Sequence, residues 1–131
     1  MHEPLHRLRT APRRSSSTLL AVLLLLAGRG YAMSGFELKA QADAYERSLA
    51  PDFDFGREGG VAFGSPAFIG YVAGVRETLD GISFCIPPQA TNGQVNFVVS
   101  RYLHEHPDEL AKPANELVVR ALGPTFPCAA K

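Results

Sequence analysis

Tryptophan is absent from this sequence, cysteine occurs only twice, and beyond residue 32 histidine also occurs only twice. Each scarcity removes a class of function. Cys85 and Cys128 stand far apart, which argues against a redox dithiol of the C-x-x-C kind. His104 and His106 are two residues apart, so on a helix they point roughly 200° away from one another and do not face one metal together. With Glu105, Asp108 and Glu109 they would make a surface metal site only if the helix ended at His104. The simpler reading is a polar, solvated helix end whose imidazoles also favour the C-terminal dipole.

Catalytic constellations are equally scarce. No glycine-rich strand-to-helix turn carries the lysine of a phosphate loop. Ser34, Ser48, Ser65, Ser83 and Ser100 lie outside any nucleophile-elbow setting. Asp52 with Asp54, and Glu77 with Asp80, are the available carboxylate pairs, but a glycosidase needs one such group in a cleft with its pKa raised. Asp52-Phe53-Asp54 is better explained as a loop whose charges keep its phenylalanines soluble. The chain is therefore read as a non-enzyme with no cofactor and no metal.

A basic face is missing too. Beyond residue 32 there are 8 basic and 12 acidic residues with no Lys/Arg cluster, whereas phosphate-backbone binding draws on one. Nucleic acid is excluded as a partner, and the mild acidity favours a basic protein surface.

Long hydrophobic runs are also lacking. The longest, LLAVLLLLA at 19–27, is about half of what spans a bilayer. It follows Arg7, Arg9, Arg13 and Arg14 and precedes the small-residue stretch GRGYA. Basic start, short apolar core and terminal alanine are the parts of a secretory signal peptide. This predicts a signal peptide over 1–32, cleavage after Ala32, and one exported domain over 33–131 with no membrane in the mature form. Outside the cytoplasm Cys85 and Cys128 can oxidise, and no third thiol competes. Closing that loop would stabilise the fold by about 4 kcal/mol on the chain-entropy account.

What is present reads as an all-α small bundle of about four helices. Ser34 and Glu37 form a capping box for a helix over 35–49, with Leu38, Ala42, Tyr45 and Leu49 on one side. Residues 50–66 are rich in glycine and read as a long loop from which Phe53, Phe55 and Phe63 tuck back onto the core. Ser65 as cap and Pro66 at the first position start a second helix over 67–79. There Gly70 and Gly74 predict close approach of another helix, because each costs about 1 kcal/mol of propensity and the packing must compensate. Asp80-Gly81 ends it. Thr91 and Gln94 cap a third helix over 91–105, in which Val95, Val98, Val99, Tyr102 and Leu103 share one face. A turn-rich connection leads to a fourth helix over 114–122, stopped by Gly123-Pro124.

FIGYVAGV, the stretch from FCIPPQATNGQ to ELVVRAL, and the closing FPC resemble the Rap/Tai family of immunity proteins over roughly Ser34 to Cys128. The resemblance rests on an ordered set of matches, among them Gly70-Tyr71, Cys85-Ile86-Pro87, Gly93-Gln94, His106-Pro107 and Phe126-Pro127-Cys128. It implies a small, helical protein of the Gram-negative periplasm that binds and blocks a peptidoglycan amidase delivered by type VI secretion. Some members are dimers, so it also implies a homodimer as a second partner. The family commonly has two further cysteines, which would fall near Gln41 and at Phe68. Their joint loss is what a pair bonded to each other would show, and Phe68 would then fill the volume between the first two helices. A general periplasmic interaction protein with no toxin partner is the alternative reading. The candidate contact residues are Asp52, Asp54, Arg57 and Glu58 in one loop, and His104, His106, Asp108, Glu109 and Lys112 in the other.

Overall fold

The computed structural model of the protein describes residues 32–130. Nearly all of the segment read as a signal peptide lies outside them. Among the described residues the chain forms four α-helices, α1 (Gly35–Ser48), α2 (Gly59–Leu79), α3 (Asn92–Glu105) and α4 (Ala114–Thr125), with one 3-10 turn at Pro107–Glu109 before α4 and no strand.

Two of these helices begin as their capping residues dictate. Ser34 accepts from the Glu37 backbone N–H while the Glu37 carboxylate accepts from the Ser34 N–H at 2.8 Å. Thr91 and Gln94 repeat the arrangement at the start of α3, with the Thr91 N–H 2.8 Å from Gln94 Oε1. Each box satisfies two backbone donors that the first helical turn leaves unpaired.

The other two helices run past their expected limits. α2 starts eight residues before Ala67, so much of the stretch read as a loop is helical and Pro66 lies inside the helix. An interior proline removes one backbone bond and ordinarily breaks the run. Here the early turns pack on α1: a Cβ at Gly64 would stand 2.5 Å from Ala44 Cβ, and Ser65 Oγ meets Ser48 Oγ at 3.1 Å. Pro66 itself faces solvent. α4 likewise continues through Gly123-Pro124 to Thr125. The Phe126 N–H reaches the Leu122 carbonyl at 2.8 Å, and the Phe126 carbonyl accepts from the Cys85 N–H at 2.8 Å, so the final turn is tied at both ends.

The core lies where the four helices converge. Leu38 and Ala42 of α1, Phe68 and Val72 of α2, Val95, Val99 and Leu103 of α3, and Leu117, Val118 and Leu122 of α4 are buried together. Phe68 is fully buried and its ring centre lies 5.3 Å from that of Tyr45 on α1, so it fills the space between the first two helices. Leu49, expected on the buried side of α1, caps the helix instead and is exposed, because the chain turns away there. Phe55 and Phe63 do not tuck back onto the core. They are 72% and 80% exposed.

Cys85 and Cys128 are disulfide-bonded, with their Cα atoms 4.8 Å apart. The bond joins the segment entering α3 to the tail leaving α4, just outside both helices. Asp80-Gly81 ends α2 as expected: Gly81 takes φ +82°, which L side chains rarely adopt, and donates to the Phe84 carbonyl at 2.7 Å.

Candidate functional site

Of the two loops singled out from sequence, the first is closed by a residue that the sequence reading passed over. Arg47, in the last turn of α1, lays its guanidinium fork across Glu58, with Nε to Oε2 at 2.7 Å and Nη2 to Oε1 at 2.8 Å. Its Nη1 reaches Asp52 at 2.8 Å. Asp54 accepts from the Gly56 N–H at 2.8 Å and from Arg57 Nε at 2.9 Å. The structure thus brings Asp52 and Glu58 together on Arg47, while Asp54 and Arg57 pair beside them. Hydrogen bonds from Arg47 hold the carboxyls of Asp52 and Glu58 below their ordinary range, and the same bonds push the Arg47 guanidinium pKa upward. A signal for Arg47 existed in its distance from two acidic residues. It pointed to no partner until the loop geometry was known.

The second group divides between two surfaces. His104 faces α1, with Nε2 3.2 Å from Asp43 Oδ1 and 3.4 Å from Glu46 Oε2. Glu46 also accepts from the buried Ser100 hydroxyl. His104 is therefore part of the α1–α3 contact and not a free helix end. His106 turns to the opposite side and stacks on Tyr102, the ring centres 3.9 Å apart. Its Nδ1 lies 2.9 Å from the Tyr102 carbonyl, which also accepts from the His106 backbone N–H at 3.0 Å.

Glu109 receives the Tyr102 hydroxyl at 2.8 Å and lies 3.3 Å from Lys112 and 3.7 Å from Arg120. The Tyr102 bond, followed by the two cations, holds the Glu109 carboxyl below its usual value. Burial pushes the Tyr102 phenol up, and Glu109 adds to it. Asp108, on the 3-10 turn, is exposed. The connection is thus pinned at Glu109 and open at Asp108.

The glycine pair of α2 does not bring helices together. Nothing lies within 4 Å of a Cβ built at Gly70 or Gly74. Instead they floor an open groove of about 450 Å³ with Tyr71, Val75, Thr78, Leu79 and Asn115 along it. The close-approach role expected of them belongs to Gly64, one turn and a half earlier in the helix.

Among the described residues no group of three or more His, Cys, Asp or Glu side chains is placed to hold a metal ion. No described helix is long and apolar enough to cross a membrane. What the surface offers is shape: two braced loops, several exposed aromatic side chains and a shallow groove on a disulfide-stapled bundle.

Comparison with known proteins agrees with that kind of molecule. No curated protein matches the chain. Residues 57–128 match the family described as Rap1a immunity proteins. The matched stretch takes in α2, α3, α4 and both cysteines of the disulfide. A match over more than half of the chain makes the protein a member of the Rap1a immunity protein family.

Proposed function

We propose that this protein is a periplasmic immunity protein that binds and inhibits a peptidoglycan-degrading amidase effector of type VI secretion. The observation that carries the proposal is the family match over 57–128 on a domain stapled by Cys85–Cys128. An immunity protein acts on a secreted effector, and a structural disulfide suits an oxidising compartment. The basic and apolar segment at 1–32 supports export of a single domain at 33–131. The protein works as an inhibitor rather than as an enzyme, through surfaces that include the 52–58 loop and the 104–112 connection.

A general periplasmic interaction protein without a toxin partner is the second reading. It is favoured by the charges of both loops being largely paired within the chain, Arg47 with Glu58 and Glu109 with Arg120.

The test uses the oxidised protein purified from the cell envelope of a strain expressing the full chain. It is titrated against the exported proteins encoded beside it. Nanomolar binding to a cell-wall amidase, with hydrolysis blocked at a one-to-one ratio of chains, is the expected result. A folded, oxidised protein that binds none of them would favour the second reading. Light scattering on the same sample reads whether the protein pairs with itself.

A further inference from the structure

None of residues 49–58 is among the side chains buried in the core or packed against it, yet their backbone is hydrogen-bonded at many points. The Glu58 carboxylate takes the Arg47 fork and also accepts from the Asp54 N–H at 3.3 Å. The Asp54 carbonyl accepts from Arg57 at 3.2 Å and from Glu58 at 2.8 Å. The Phe53 ring lies 5.9 Å from the Arg47 guanidinium carbon, within cation–π range. Phe55 meets Phe53 edge-on, with centres 4.9 Å apart and planes at 82°. The result is a phenylalanine 72% exposed to solvent in a turn whose neighbours Phe53, Asp54, Gly56, Arg57 and Glu58 all donate backbone hydrogen bonds.

Protein interfaces concentrate their binding energy in a few aromatic or arginine anchors that enter pockets, surrounded by a polar rim. Ordering such an anchor before contact removes part of the entropic cost of binding. Phe55 is exposed in such a hydrogen-bonded turn, and the charged residues Asp52, Asp54 and Arg57 flank it in the chain. Phe97 is less exposed, at 59%, and the Arg101 guanidinium carbon lies 5.7 Å from its ring centre.

We infer that Phe55 is an anchor through which this protein seats in an apolar pocket of its effector, and that Arg47 is the positioning residue that fixes it. The partner surface is a protein pocket wide enough for one aromatic ring, bordered by a cationic side chain facing Asp52, whose side chain is 79% exposed although bonded to Arg47. The inference rests on the immunity reading given above.

Affinity for the adjacent cell-wall hydrolase is measured for the parent protein, Phe55→Ala, Phe63→Ala, Arg47→Met and the double variant Phe55→Ala/Arg47→Met. Circular dichroism and thermal melts confirm that each is folded. Phe55→Ala is expected to weaken binding by about 30-fold or more, the range of an interface hot spot. Phe63→Ala, which removes an equally exposed ring, stays within about twofold. Arg47→Met weakens binding by about tenfold in the parent and adds nothing once Phe55 is gone, because it acts through that ring. A parent that binds while Phe55→Ala binds equally well overturns the anchor alone. Equal losses from Arg47→Met in both backgrounds overturn its positioning role. A parent that binds no hydrolase overturns the immunity reading and this inference with it.

Discussion

Gly35, the first residue of α1, faces Leu110 so closely that a Cβ there would lie 2.8 Å from the Leu110 carbonyl oxygen and inside the Leu117 side chain. The same junction carries backbone bonds from Gly35 to Lys112 at 2.9 Å, from Phe36 to Leu110 at 3.1 Å and from Ala114 to Met33 at 2.8 Å. The start of α1 is thereby seated on the connection that leads into α4. Gly35→Ala forces backbone to move and is expected to cost about 1–3 kcal/mol, as overpacking of a close contact does. A lowered urea midpoint with an unchanged slope would show it.

Gly70 and Gly74 predict the opposite sign. Their Cβ positions are open, so alanine brings only its better helix propensity, about 1 kcal/mol of stabilisation at each. Gly64→Ala, by contrast, meets Ala44 at 2.5 Å and destabilises. The three variants measured together in urea separate a bare helix face from a packed one.

Replacing Cys85 and Cys128 by serine together is expected to lower stability by about 2–4 kcal/mol. A reducing agent should lower the melting temperature of the parent and leave that of the double variant unchanged. An equal response in both would show that the staple contributes nothing.

Acid should weaken the braced loops. The carboxyls of Asp52, Glu58 and Glu109 are all depressed in the folded protein by hydrogen bonds, from Arg47 for the first two and from Tyr102 for the third. Such groups contribute stability that is full above the unfolded value and is lost as pH falls through the lower folded one. Stability is therefore expected to decline once pH drops below the ordinary glutamate and aspartate values of 4.5 and 3.8. Arg47→Met should flatten part of that decline, because Asp52 and Glu58 lose the cation that depresses them. Denaturant melts at stepped pH values check both statements.

The four helices were legible wherever the signal was local. Ser34 with Glu37 and Thr91 with Gln94 announced two helix starts within one turn of chain, and the valine spacing of α3 placed its buried face correctly. Pro66 and Pro124 were misleading for the same reason. A proline's penalty is local and readable, whereas the packing that offsets it comes from residues far away in sequence, Ala44 against Gly64 and Cys85 against Phe126.

Of the candidate surface, residues 50–58 were legible as a loop by their composition, whereas 59–66 proved helical and His104 lies within α3; the internal wiring was not legible. Arg47 with Glu58 and His104 with Asp43 pair across helix junctions, and no periodicity records such pairs.

Sequence by itself determined the helical class, two capping boxes, the single possible disulfide and the resemblance to immunity proteins, because each depends on residue type and short-range spacing. Only the tertiary structure decided that Gly64 and not Gly70 or Gly74 lets helices approach, that α2 begins before its proline, and that Phe55 stands outward on a loop locked by Arg47. Those outcomes depend on which distant surfaces meet, and burial and ion pairing across such contacts outweigh the local preferences that a linear reading can weigh.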